Sequence, residues 1–181
     1  MVAPQMYILD ESVEFELSLV TRSFAQIIQE TYTIVGFVSL IKPILLAEDL
    51  EDDAIATQRI LKKAGVMNPI VVVPDGEEAI LYLDGVGMYG DREKYPIPVV
   101  LLLDLKMPKR GGLDVLGWCR AQKRMESLLI VILTGHQDVS MMHNAYAMGA
   151  HSFLMKPCNE TDIVNLTQTF AGYWHHAPPQ L

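Results

Sequence analysis

The chain lacks most of the features that mark specialised protein classes. It has only two cysteines in 181 residues, Cys119 and Cys158. Their separation suits neither a Cys-x-x-Cys pair nor a metal-binding spacing, so two free thiols in a reducing, cytoplasmic setting are expected. Cations are scarce, with 14 Lys and Arg against 22 Asp and Glu and a formal net charge of −8. That balance argues against nucleic acid, because a sequence-independent grip on it needs a cationic face. No early apolar run approaches the roughly 20 residues needed to cross a bilayer. The most apolar one, residues 34–41, stops at Lys42-Pro43. A membrane partner is therefore not expected. The first 30 residues are acidic (Asp10, Glu11, Glu14, Glu16) where a secretory signal would be basic and then apolar. Internal repeats and low-complexity tracts are also missing.

What is present fits one globular domain with a short appendage. Half of the residues are apolar and a fifth are charged, enough for a sizeable core. From residue 43 onward, short apolar runs alternate with amphipathic stretches. The runs are "PILLA" (43–47), "PIVVV" (69–73), "PVVLLL" (98–103), "LLIVIL" (128–133) and "HSFLM" (151–155). Four are continuously apolar, the mark of strands covered on both faces. Helices are predicted over 54–64, 77–83, 113–121, 139–148 and 161–173. Gly65 and Gly149 are their stop signals, and Asn159 is the N-cap of the last. Five strands alternating with five helices predict a doubly wound α/β sandwich, (βα)5, on a five-stranded parallel sheet.

Two segments stand apart. The Gly- and Pro-rich stretch 85–98 reads as a surface insertion before the third strand. Residues 1–42 form an N-terminal extension in which 12–30 could be a helix with Phe15, Leu19, Phe24, Ile27 and Ile28 on one face. Three roles fit it: packing on the domain, dimerisation, or an upstream stretch included through a mistaken start codon. The domain itself is placed at 43–174, and residues 175–181 are read as a loose tail whose His175-His176 pair is inert.

Open parallel sheets build their sites outside the carboxyl ends of the strands. The first strand ends in Glu48-Asp49, the third in Asp104, the fourth in Thr134-Gly135 and the fifth in Lys156-Pro157. Each has an ordinary explanation alone, as a cap, a turn former or a loop lysine. Together they bring three acids, a hydroxyl and an ammonium to one rim. Clustered carboxylates repel, so the group calls for a cation, and an all-oxygen set suits Mg²⁺. The second strand ends in Pro74-Asp75-Gly76, which reads as turn chemistry only.

The blocks "ILLAEDLEDD", "LLLDLKMPKRGGLDVL", "VILTG" and "GAHSFLMKP" resemble the four signature blocks of response-regulator receiver domains of two-component signalling. The intervals of 30 residues from Asp104 to Thr134 and 22 from Thr134 to Lys156 are typical of that family. The resemblance covers about residues 43–174 and implies the flavodoxin-like receiver fold. It implies that Asp104 is the phosphoacceptor, and that Glu48, Asp49, Asp104 and the backbone carbonyl of Lys106 hold Mg²⁺. Lys156 would pair with the acceptor and then with the phosphoryl group. Thr134 would swing toward that group, with Phe153 as the aromatic switch that follows it and Gly135 leaving room. A cis bond before Pro157 is also implied. Phosphoryl transfer onto a carboxylate suits this set, because it needs in-line positioning and neutralised oxygens more than covalent chemistry. Lys106 and His136 occupy the two positions that tune self-dephosphorylation in the family.

The long loop before the third strand, the block after Asp104 and the "FAGYW" end of the last helix narrow the resemblance. They look like the small response regulators that partner bacterial phytochrome-type histidine kinases. The partner implied is a sensor histidine kinase or a phosphotransfer protein, and a homodimer is plausible. Only 25 residues follow Lys156, so the signal is expected to leave by protein contact. The chain is read as a signalling protein that catalyses only its own phosphorylation and dephosphorylation, and not otherwise as an enzyme. A degenerate receiver acting as a phosphorylation-independent interaction module is one alternative. An aspartate-nucleophile phosphatase is another, but it would carry an acid where Lys106 stands.

Overall fold

In a computed structural model, which describes residues 41–135 and 139–176, each apolar run becomes a strand. The extension through residue 40, His136 and the tail from residue 177 lie outside the described residues. The strands are β1 (Ile44–Ala47), β2 (Ile70–Val73), β3 (Val100–Asp104), β4 (Leu129–Thr134) and β5 (Ser152–Met155). They pair in parallel in the order β2-β1-β3-β4-β5. Every residue of β1, β3 and β4 is buried, which is why these runs show no polar alternation. The edge strands β2 and β5 are only partly covered.

The connections are α1 (Glu51–Lys63), α2 (Gly76–Asp84), α3 (Gly112–Ala121), α4 (Val139–Ala147) and α5 (Glu160–Thr169). On one face of the sheet Leu46, Leu102 and Leu133 pack with Leu61 of α1 and Ile163 and Leu166 of α5. On the other, Leu45, Leu101 and Ile132 pack with Leu83, Leu116 and Ala145 of α2, α3 and α4. This is the three-layer sandwich expected. Gly149, at φ +99°, ends α4 with the Ala150 N–H on the Ala145 carbonyl. Asn159 caps α5 by accepting from the Asp162 N–H.

Two expectations need correction. Helix α5 stops at Thr169 rather than 173, and a 3₁₀ turn over Ala171–Tyr173 follows. Thr167 and Thr169 turn their hydroxyls back onto the carbonyls of Val164 and Asn165, which weakens a helix end. The 85–98 stretch is the surface insertion expected, and it is anchored to α2. Tyr82, Tyr89 and Tyr95 form a ring cluster, and Arg92 donates to the carbonyls of Tyr82 and Leu83 at the end of α2. His175 and His176 are likewise tied down. The His175 carbonyl accepts from Met67 N–H (2.7 Å) and its N–H donates to Asn68 Oδ1 (2.8 Å), while His176 bridges Val66. Trp174, just before them, is a buried core residue.

Candidate functional site

The parallel register determines where the polar strand ends meet. Ala47 pairs with Leu103, Asp104 with Leu133, and Thr134 with Met155. Two ladder bonds continue one residue past the strands, Glu48 N–H to the Val73 carbonyl and Lys156 N–H to the Thr134 carbonyl. Glu48 and Lys156 are therefore held as rigidly as the sheet itself.

Lys156 is the centre of the cluster. Its Nζ lies 2.8 Å from Asp104 Oδ2, 2.5 Å from Glu48 Oε2 and 3.2 Å from Asp53 Oδ2. The Asp104 contact is a hydrogen bond. Glu48 Oε2, the nearest of the three oxygens, is buried against the same ammonium. The other oxygens are oriented from the backbone. Asp104 Oδ1 accepts from the Lys106 N–H (3.2 Å), and Glu48 Oε1 accepts from the Leu50 N–H (3.3 Å).

Burial and charge shift these groups. Burial lifts the Glu48 carboxyl above its usual range and neighbouring Asp104 adds to the rise, against the pull of Lys156. Burial pulls the Lys156 ammonium down, but Asp104 and Glu48 outweigh it, so Lys156 stays charged well above neutral pH.

Glu48, Asp49 and Asp104 each bring one oxygen within 4.8 Å of the others. With Asp53 they make a group of four carboxylates around Lys156. The excess negative charge and the all-oxygen donor set fit a hard divalent cation.

The remaining expected residues fall around this centre. Thr134, buried at the end of β4, donates from Oγ1 to the Gly135 carbonyl (3.1 Å). The space beside Gly135 is open, since an added Cβ would meet nothing within 4 Å. Phe153 lies half-buried on β5 with its ring 4.7 Å from that of Tyr146, and the Lys156-Pro157 bond is cis. Lys106 is exposed at the start of the turn after Asp104. Cys119 and Cys158 are free, buried thiols, both raised by burial.

Sequence reasoning missed two contributors. Asp53 reaches the lysine from the first turn of α1, four residues after Asp49, a helical interval that the acidic run "EDLEDD" already contained. Gly112 is the other. A Cβ there would sit 2.2 Å from the Asp104 carbonyl oxygen, and its N–H closes the turn on the Leu105 carbonyl (3.1 Å). The paired glycines 111–112 were the legible sign of that close approach.

Comparison with known proteins agrees with this geometry. The family described as "Response regulator receiver domain" matches residues 44–168. Response regulator Rcp1 of Synechocystis sp. is 29% identical over 133 residues, 74% of this chain and 88% of that protein. The solved bacteriophytochrome response regulator RtBRR is 34% identical, with a TM-score of 0.69 over 77% of this chain and 84% of its own. The Mn²⁺-bound form of Rcp1 is 28% identical, with a TM-score of 0.60 over 73% of this chain and 93% of its own.

Proposed function

The chain belongs to the response regulator receiver domain family, and from that premise we propose that it accepts a phosphoryl group on Asp104 in a reaction that depends on Mg²⁺. The observation that carries this reading is Asp104 itself. It is a buried carboxylate at the end of a central strand, 2.8 Å from a charged lysine and within 4.8 Å of two further acids. The donor is a phosphohistidine of a sensor histidine kinase or phosphotransfer protein. Similarity to RtBRR supports a phytochrome-type kinase as the source.

An Asp104 oxygen attacks phosphorus, and a new O–P bond forms as the P–N bond breaks, its electron pair leaving on the imidazole nitrogen. The Lys106 N–H orients the carboxylate. Lys156 faces the phosphoryl oxygens and offsets their charge. A divalent cation held by Glu48, Asp49, Asp104 and the Lys106 carbonyl would supply the rest of that neutralisation. The new oxygens then offer Thr134 a stronger acceptor than the Gly135 carbonyl, and its movement leaves a space that Phe153 can follow into. The altered surface passes the signal on by protein contact. Edge strand β5, with Met155 exposed, offers a face to a target or a second copy.

The convergence of every required group disfavours the degenerate receiver, and the lysine at position 106 disfavours the phosphatase. Incubation with Mg²⁺ and acetyl phosphate tests the three readings. The expected product is one acid-stable, base-labile phosphoryl adduct per chain, absent from Asp104→Asn. No labelling, either here or from a cognate kinase, would favour the degenerate receiver. Steady release of phosphate from many substrates would favour the phosphatase.

A further inference from the structure

Asp75 lies outside the acid and lysine cluster, yet it is as buried as Glu48 and Asp104 within it. It joins β2 to α2 and holds two partners. Oδ1 accepts from the Glu78 N–H (2.8 Å) and caps α2, while Oδ2 lies 2.7 Å from Lys109 Nζ. Lys109 belongs to the turn that follows Asp104. Among the described residues it is the one non-glycine with positive φ, at +61°, a backbone that L side chains disfavour. The turn also rests directly on α2. A Cβ added to Gly76 would sit 2.2 Å from the Arg110 carbonyl oxygen. The same turn carries Lys106, whose N–H orients Asp104.

We propose that Asp75 is a positioning residue for the phosphoacceptor site, its carboxylate holding Lys109 in the left-handed conformation and so fixing the 105–112 turn that orients Asp104. The inference rests on reading Asp104 as the phosphoacceptor beside a divalent cation. A helix cap alone does not account for the arrangement, since asparagine caps as well as aspartate and carries no charge. Burial raises the Asp75 carboxyl, but Lys109 and the capping N–H outweigh it and hold it below the ordinary carboxylate range. The pairing is thus intact at neutral pH.

The full chain and three substitutions test this. Asp75→Asn keeps the cap and removes the charge. Lys109→Met keeps the need for positive φ and removes the partner. Lys109→Gly adopts positive φ without help. Two quantities are read: the affinity for Mn²⁺ alone by calorimetry, and the labelling rate with Mg²⁺ and acetyl phosphate. Asp75→Asn and Lys109→Met are each expected to weaken Mn²⁺ binding and slow labelling by about three- to tenfold, the low end for residues that support metal ligands. Thermal midpoints should stay near that of the unsubstituted chain. In the Lys109→Gly background, Asp75→Asn should cause no further loss. Asp75→Asn that binds Mn²⁺ as tightly as the unsubstituted chain overturns the proposal, as does an equal loss in the Lys109→Gly background. Should Asp75→Asn fail to fold, Lys109→Met, at an exposed side chain, decides alone. An unsubstituted chain that neither binds Mn²⁺ nor labels overturns the phosphoacceptor reading and this inference with it.

Discussion

At Lys156 one ammonium lies within 3.2 Å of three carboxylates, and they do not serve the same end. Asp104 is the proposed acceptor, and Glu48 is one of the acids proposed to hold the cation. Asp53 is half-exposed and its oxygen is the farthest from Nζ. It pulls on the lysine and repels an arriving dianion without offering either a nucleophile or a place in the acid triad. Asp53→Asn should therefore speed labelling by acetyl phosphate. Solvent screening at an exposed side chain limits the gain to about two- to fivefold. Slower labelling than in the unsubstituted chain would show instead that Asp53 is needed to place Lys156. A second residue, His151, is expected to contribute pH dependence from the opposite end of β5. Its Nδ1 accepts from the Ile130 N–H, which requires that atom to be unprotonated, and Arg120 Nη2 lies 3.2 Å away. Burial and then the Arg120 charge hold its pKa below the ordinary histidine value. The unfolded chain therefore takes up this proton first. The stabilisation is complete above about pH 6.5 and declines as pH falls below that value toward the folded pKa. Urea midpoints at pH 7.5 and 5.5 should fall further for the unsubstituted chain than for His151→Gln. Parallel falls would remove His151 as the cause.

Among the elements, the turn between β3 and α3 does the most for the site. It leaves Asp104, passes Lys106, takes positive φ at Lys109 and closes where Gly112 touches the Asp104 backbone. Gly112→Ala must push that backbone aside. A cost of about 1–3 kcal/mol is expected, read as a lowered urea midpoint, together with slower labelling. Unchanged stability and labelling would mean that the turn yields freely. The same turn shows why sequence reading stopped where it did. Asp104, Glu48, Thr134 and Lys156 were legible because each follows an apolar run, and parallel strands deliver their ends to one edge. The Asp75 contact with Lys109 joins residues 34 apart that share no period or spacing. Only the packing of α2 against the turn brings them together. The early end of helix α5 and the anchoring of the 85–98 loop were not legible, for related reasons. Threonine back-bonding weakens the end of the first, and a three-tyrosine cluster with Arg92 anchors the second, neither of which local composition displays.

For the whole molecule, the parallel sheet and its two covering layers follow from an alternation visible in the apolar runs, because strands covered on both faces are almost continuously apolar. The histidines at 175 and 176 did not follow, since a two-residue pairing with Val66 and Met67 leaves no apolar signature. The sheet is thus a frame whose carboxyl edge holds an excess of negative charge around Asp104, the proposed nucleophile. The most direct test is to identify the phosphorylated residue. The full chain is treated with Mg²⁺ and acetyl phosphate, the acyl phosphate is trapped by borohydride reduction, and the peptides are mapped by mass spectrometry. The expected result is a single modified residue, Asp104, with no modification in Asp104→Asn. Modification of another acid, or of none, would contradict the assignment of Asp104 as the phosphoacceptor.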